Sequence, residues 1–342
     1  MELQIIWFAL WGILWAVYFT ADGFDLGVGI LYPLLGKSDI DRRVMINTIG
    51  PVWEGNEVWL VTAGGATFAA FPVAYALMFS YLYSALFIIL IALIFRGVAL
   101  EFRGKGGSGI WKKAWDGAIF LGSLLPALLF GVAFGNIFQG LPMDAGGYHG
   151  TLPGLLNPYG LQTGILFVVL FMTHGALWLS VKTDGDLAHR AAGLTRKLWV
   201  ALFFLAVIFF VHTAYATSLY VNYLRQPSWF IVPALTGLSI VGTGVFILKK
   251  RPLGAFFASC LAVATIFLTG IIGLYPNLIP SSLDPNYSLT LFNASSSVYT
   301  LKIMTVVAFI FVPMVIAYQI WVYRIFRQKV TAEQVGNSPD AY

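Results

Sequence analysis

Charge is scarce in this chain. Asp, Glu, Lys and Arg together make up 10% of its residues, while 59% are hydrophobic. A soluble globular domain carries about 25% charged residues, so this composition excludes an ordinary water-facing surface and points to lipid. Cysteine is nearly absent. The lone Cys260 excludes an intrachain disulfide, and it reads as packing in an apolar stretch. No Cys/His cluster has zinc spacing, and there is no tandem repeat, coiled coil or nucleotide-binding loop. A basic leader is missing too. Glu2 is the only charge before Asp22, and no small-x-small cleavage site follows the first apolar run. That run reads as a retained helix and not as a signal peptide.

What the chain does have is long uncharged runs. Residues Val58 to Phe95, Trp229 to Leu248, Leu253 to Leu283 and Ile303 to Tyr323 contain no Asp, Glu, Lys or Arg. A helix crosses the hydrocarbon with roughly 20 apolar residues. The first run therefore holds two crossings, with Phe71-Pro72 as the break between them. The runs lack the period-two alternation of barrel strands. The expectation is an all-α polytopic membrane protein with nine spans, at 5–30, 51–70, 75–96, 115–138, 160–181, 199–222, 229–248, 254–275 and 301–323.

The basic residues set an expected orientation. With the N-terminus outside, all but Arg225 and Lys302 of the 20 Lys and Arg residues fall on the inner side. That is the positive-inside pattern, with the C-terminus cytoplasmic. The outer loops 139–159 and 276–300 are rich in Gly, Pro, Asn and Ser, and are expected to be held by turns and not by regular structure.

Function must then reside in the polar residues the helices tolerate. Asp22 and Asp25 lie toward the inner end of the first span, and Glu54 and Glu57 at the inner start of the second. Each pair is spaced i,i+3 and so shares a helical face. Acids in hydrocarbon are costly and turn toward a bundle interior. They read either as a hydrophilic inlet for protons or cations, or as structural anchors. Gly23, Gly27, Gly29, Gly50, Gly55, Gly64 and Gly65 would let the two spans pack closely, bringing Asp25 to Glu54. Arg96 either snorkels to the inner headgroups or pairs with one of the acids. Trp59 suits packing or the wall of an apolar cavity. His174 and His212 lie within spans on different helices, a pattern that suits helix-interface hydrogen bonds better than a b-type haem.

The stretches Asp22-Gly23-Phe24-Asp25-Leu26-Gly27-Val28-Gly29, Arg42-Arg43-Val44-Met45-Ile46-Asn47, Pro51-Val52-Trp53-Glu54-Gly55-Asn56-Glu57-Val58-Trp59-Leu60-Val61-Thr62-Ala63-Gly64-Gly65 and Phe68-Ala69-Ala70-Phe71-Pro72 resemble subunit II of the bacterial and archaeal cytochrome bd quinol oxidases. The resemblance implies a complex in the cytoplasmic membrane that oxidises quinol and reduces dioxygen to water. It implies a partner, subunit I, that holds the haems (b and d, or b variants) and the quinol-oxidising loop, with small single-helix subunits as further partners. Subunit II itself would bind no haem, would stabilise its partner, and in some members supplies a proton path, an oxygen route or a structural quinone site. Its architecture would be two four-helix bundles, 1–138 and 155–275, then a ninth helix at 299–326 and a cytoplasmic tail at 327–342. Carried onto this chain, Asp25 and Glu54 match acids assigned to proton conduction. Trp59 matches a tryptophan near an oxygen entrance, Arg96 an arginine ending the third helix, and Asp22 belongs to the same signature. The best-known form has Asp where this chain has Glu54, so the carboxylate here reaches one methylene farther. Two other readings of the buried acids are a cation-coupled secondary transporter and a purely structural partner subunit.

Overall fold

The computed structural model describes residues 1–337; residues 338–342 of the expected tail lie outside the described residues. Helix dominates for a physical reason: with no water to bond backbone N–H and C=O groups, a spanning segment must satisfy them internally. The helices are α1 (Glu2–Ala21), α2 (Gly23–Leu35), α3 (Asp39–Ile49), α4 (Trp53–Ala70), α5 (Pro72–Tyr81), α6 (Tyr83–Phe102), α7 (Gly109–Gln139), α8 (Leu152–Leu155), α9 (Pro158–Lys182), α10 (Gly185–Ala216), α11 (Leu219–Arg225), α12 (Ile231–Leu248), α13 (Pro252–Leu274), α14 (Val298–Ile325) and α15 (Ala332–Asn337). Their starts follow local chemistry. Ser38 and Asp41 form a reciprocal capping box for α3. Asn157 and Ser297 cap α9 and α14 with their side chains. Proline occupies the first turn of α5, α9 and α13, where its missing N–H costs nothing.

Among the described residues, eight helical segments are long and apolar enough to cross a bilayer: Glu2–Leu35, Tyr83–Lys105, Gly109–Gln139, Pro158–Lys182, Gly185–Ala216, Pro227–Leu248, Pro252–Leu274 and Val298–Ile325. The first is α1 running into α2 with only a slight irregularity at Asp22, whose backbone stays in the right-handed helical region. The expected second span, 51–70, is helical as α4 but is not among the eight. Glu54, Asn56 and Glu57 crowd its first turns and lower its hydropathy. The break at Phe71-Pro72 is present. A second break at Leu82 divides the expected 75–96 span into α5 and α6, and extended Thr217 ends α10 inside the expected 199–222 span.

The tightest crossing is that of α2 with α9, where Gly27 meets Gly175. A Cβ at Gly27 would collide with the Phe171 carbonyl, and one at Gly175 would lie 2.5 Å from the Gly27 carbonyl carbon. Gly29 likewise abuts Ser123 of α7. The glycines of α2 thus serve α9 and α7. This corrects the expectation that glycines zip the first two spans together: Gly64 and Gly65 have nothing within 4 Å, and Gly55 meets only Gln319, at 3.7 Å. Helix pairs α1–α4, α6–α7, α9–α10, α12–α13 and α7–α9 carry the rest of the packing. At its centre Phe19 sits among Phe130, Phe134, Phe167 and Phe267 with ring centroids 5.0 to 5.7 Å apart, mostly edge to face.

Helix α14 lies on the outside, with Leu301 its only fully buried residue. Polar stitches hold it. Trp7 donates to Thr305 Oγ1 (3.1 Å), Trp59 to Gln319 Oε1 (2.9 Å), and Gln319 to the Gly55 carbonyl (2.7 Å). Beyond α14, Lys182 at the end of α9 donates to the carbonyls of Phe326 and Gln328, and Val330 N–H returns a bond of 2.7 Å to the Lys182 carbonyl.

The loops 139–159 and 276–300 are more regular than expected. Strands β1 (Met143–Asp144) and β2 (Gly147–Tyr148) pair antiparallel, as do β3 (Asn277–Ile279) and β4 (Leu289–Thr290). The two loops are cross-braced: Leu141 N–H donates to the Pro280 carbonyl and Ser282 N–H to the Leu141 carbonyl, at 2.8 and 2.9 Å. The reason is mutual. Each loop forms only a two-stranded hairpin, and each supplies partners for the other's unpaired backbone groups. On this face Asp144 accepts from His149 (2.7 Å) and from Gly146 N–H (2.7 Å).

Candidate functional site

Asp22 sits where α1 passes into α2 and is wholly buried. Arg96 reaches it from α6 and is 1% exposed. Arg96 Nη2 lies 2.5 Å from Asp22 Oδ1, and the same nitrogen is 3.1 Å from Glu57 Oε1 of α4. One guanidinium therefore sits between two carboxylates contributed by two other elements. Arg96 does not snorkel; it pairs. A cation this deep is tolerable only with such partners. The partnering is incomplete: Arg96 Nε and Glu57 Oε1 lack an aligned hydrogen bond.

One turn on, Asp25 is also wholly buried, and its partner is not an acid or a base but an amide. Asn56 Nδ2 of α4 donates to Asp25 Oδ2 at 2.7 Å, and Tyr323 Oη of α14 donates to Asn56 Oδ1 at 2.9 Å. Asp25 Oδ1 has no hydrogen-bond partner. Glu54 does not face Asp25. It is exposed, and it lines a small cavity of about 80 Å³ together with Asn56, Gln319 and Tyr323. The expected Asp25–Glu54 juxtaposition thus becomes an indirect one, because the α4 face that meets α2 carries Asn56. The i,i+3 reading of Glu54 and Glu57 holds only in part. Glu57 turns to Arg96 with 24% of its side chain exposed, while Glu54 points away. Trp59 is buried and anchors α14 through Gln319.

Sequence reasoning missed Asn56, Tyr323 and Gln319. It also missed an ion network at the same end of the molecule. Asp116 of α7 accepts from Arg42 (2.6 Å), Arg103 (2.6 Å) and Tyr32 Oη (3.0 Å). Asp39 accepts from Arg103 (2.9 Å) and Lys112 (3.0 Å). Burial alone would raise the Asp39 carboxyl, but hydrogen bonds and charge from Lys112 and Arg103 outweigh it and hold it below the usual range. The available signal was that Asp116 is a lone acid in a basic stretch.

The histidines do not form a haem pair. His174 Nε2 donates to the Thr20 carbonyl at 3.1 Å, and its Nδ1 lies 2.7 Å from Ser259 Oγ, so both ring nitrogens are engaged. Its ring stacks on Phe256 at 4.7 Å. His212 Nδ1 lies 2.5 Å from Gln162 Oε1. No group of three or more His, Cys, Asp or Glu suited to a metal ion occurs among the described residues.

Two further cavities meet the site at Tyr323. A polar one of about 200 Å³ is lined by Asn47, Thr48, Trp178, Lys182 and Gln334 among others. An apolar one of about 690 Å³ runs between α1, α9, α13 and α14, past Phe24, Phe256 and Cys260, to Lys182 and Arg327.

Comparison with known proteins places this geometry in context. Residues 3–326 match the family described as cytochrome bd terminal oxidase subunit II. The chain is 38% identical over 334 residues to the cytochrome bd ubiquinol oxidase subunit 2 of Bacillus subtilis, covering 97% of this chain and 98% of that one. It is 37% identical over 365 residues to the cytochrome bd-I ubiquinol oxidase subunit 2 of Escherichia coli, covering 97% and 96%. Its fold is similar to a chain of the bd oxidase from Geobacillus thermodenitrificans, with a TM-score of 0.79, 20% sequence identity, and coverage of 95% of this chain and 99% of that one.

Proposed function

The chain belongs to the cytochrome bd terminal oxidase subunit II family, and from that premise we propose that it stabilises a haem-bearing subunit I and carries protons toward it from the cytoplasmic side. It is a subunit of a bd-type quinol oxidase, an oxygen-reducing membrane complex. Reducing dioxygen to water consumes protons, and a reaction buried in a bilayer needs a polar route for them. The observation that carries the reading is the pair of adjoining buried clusters, Asp22–Arg96–Glu57 and Asp25–Asn56–Tyr323. Four ionisable side chains inside the helices are costly to keep, and a conduit gives them work. Asp25, with one free carboxylate oxygen, is the group that gains and loses the proton. Glu54 collects protons at the mouth, Glu57 and Asp22 are held by Arg96, and Trp59 walls the oxygen side.

In the same reading α4 is the ninth crossing, packed between α1 and α14. The nine spans form two four-helix bundles and a peripheral helix, α14, with the C-terminal tail at the cytoplasmic face of a bacterial or archaeal inner membrane. Cysteines introduced at Gly147 and Asn286 should label from outside intact cells, and labelling only from the inner side would reverse this orientation. Haems b and d belong to the partner in this reading; both ring nitrogens of His174 are engaged in hydrogen bonds, and Nδ1 of His212 is held by Gln162. A structural quinone of this subunit would occupy the apolar cavity of about 690 Å³, which Phe24 and Phe256 line. Small single-helix subunits are further partners.

The test is oxygen uptake and haem content measured on the same purified complexes. The Asp25→Asn, Glu54→Gln double variant should turn over slowly with its haems in place. Normal turnover would remove this subunit from the proton route. Loss of haem with activity would instead support the purely structural partner.

A further inference from the structure

Asp25 and Glu54 do not touch, so something else must connect the mouth of the site to its buried acid. We propose that Tyr323 of α14 is a positioning residue for proton uptake: its hydroxyl anchors the Asn56 amide that holds Asp25, and thereby the setting of Asp25. The proposal rests on the proton-route reading above and deepens it.

The argument starts from the amide. Asn56 is wholly buried and has two chemically opposite ends, an N–H₂ that donates and a C=O that accepts. Presented with its N–H₂ toward Asp25, it holds the carboxylate oxygen Oδ2 at 2.7 Å and leaves Oδ1 as the open atom. Turned over, it would present a carbonyl oxygen to a carboxylate, two acceptors face to face. The carboxylate therefore turns the Asn56 carbonyl oxygen away from itself, and the Tyr323 hydroxyl, 2.9 Å away, donates to that oxygen and ties the amide in place.

Tyr323 is well placed for this. It lines the small cavity shared with Glu54, the polar cavity beside Lys182 and Gln334, and the large apolar one. It belongs to α14, an outer helix that is otherwise fixed to α4 by the separate Trp59–Gln319–Gly55 stitch. The groups whose charge reaches Asp25 are Asp22 at the α1–α2 junction, Glu57 of α4 and Arg96 of α6, and Tyr323 also feels Cys260 of α13. Among these groups Tyr323 alone acts on Asp25 through an orientable intermediary.

The experiment uses the whole purified oxidase and compares Tyr323→Phe with Thr305→Val, which loosens the same helix at its Trp7 stitch, away from the Glu54 cavity. Haem content, oxygen uptake and the pH profile of uptake are measured on each, with Asp25→Asn as reference. Tyr323→Phe should keep its haems, lose roughly fivefold in turnover, the weight of one net hydrogen bond, and move the inflection of the pH profile. Thr305→Val should leave the profile in place. If Tyr323→Phe does not assemble, Tyr323→Leu removes the same hydroxyl and should move the same inflection. The positioning role is overturned if Tyr323→Phe leaves the profile unmoved, or if both α14 variants act alike. A slow Asp25→Asn enzyme beside an indifferent Tyr323→Phe enzyme brings down the positioning role alone. A normal Asp25→Asn enzyme brings down the proton route beneath it.

Discussion

The two halves of the helical assembly solve the same problem in different ways. The interior of α9, α10, α12 and α13 is polar but carries no carboxylate. Its buried Thr163, Thr213, Ser239, Thr243, Thr265 and Thr269 bond back to carbonyls three or four residues earlier on their own helices. Such groups are satisfied before any neighbour arrives. The interior of α1, α2, α4 and α6 instead holds Asp22, Asp25, Glu57 and Arg96, none of which can be satisfied within its own helix. Hydroxyls let a helix tolerate polarity, whereas charges make helices depend on one another. The second arrangement is far more expensive if a partner is lost.

Six substitutions at five positions would break or sharpen this contrast. The largest effect is expected from Arg96→Leu, which strands Asp22 and Glu57 in the interior. Breaking a buried pair costs about 3–5 kcal/mol, so assembled complex should be scarce on size-exclusion chromatography and should melt well below the parent. A normal yield would mean the charged half is no more interdependent than the other. Next comes Asp25→Asn, which should slow oxygen uptake by roughly 100-fold or more if the carboxylate relays protons. Glu54→Gln should be milder, and Glu54→Asp milder still, because Glu54 is exposed and water in the adjoining cavity substitutes for it in part.

A smaller effect is expected in the hydroxyl half. Ser259→Ala leaves His174 Nδ1 without its contact and should cost about 1 kcal/mol of stability, with turnover unchanged, as read by thermal denaturation. A large loss of turnover would show that the uncharged half is not merely packing. The smallest concerns the paired loops. Hydrogen bonds from His149 and then from Gly146 N–H hold the exposed Asp144 carboxyl below its ordinary range. A carboxyl depressed on folding contributes its stability above the unfolded value and loses it as pH falls through the folded one. Amide exchange in loop 139–159 should therefore quicken on acidification below the normal aspartate range, and Asp144→Asn should remove that dependence.

Much of this was legible in the sequence because hydrocarbon imposes a severe rule. Uncharged runs, the Phe71-Pro72 break and the acids of the first two segments could be read directly. The partner of each acid could not. A spacing of i,i+3 says that Asp22 and Asp25 share a face, yet not that α6 answers one with Arg96 and α4 answers the other with Asn56. Asn56 stands between two glutamates in the sequence, and its partner Tyr323 lies 267 positions away along the chain. The glycines misled for a related reason: a small residue announces a close approach but does not name the helix that makes it. Helix α4 fell short on hydropathy because its polar residues are the ones the site uses.

The fastening of α14 also orders events in time. During synthesis this helix leaves the ribosome after the elements it binds: Trp7 on α1, and Gly55, Asn56 and Trp59 on α4. Until it arrives, those donors and acceptors wait on an open flank, and the Tyr323 contact cannot exist. A helix that arrives after its partners is therefore also the one that completes the hydrogen-bond chain to Asp25, so a subunit translated only as far as α13 has its buried acid without its bearing.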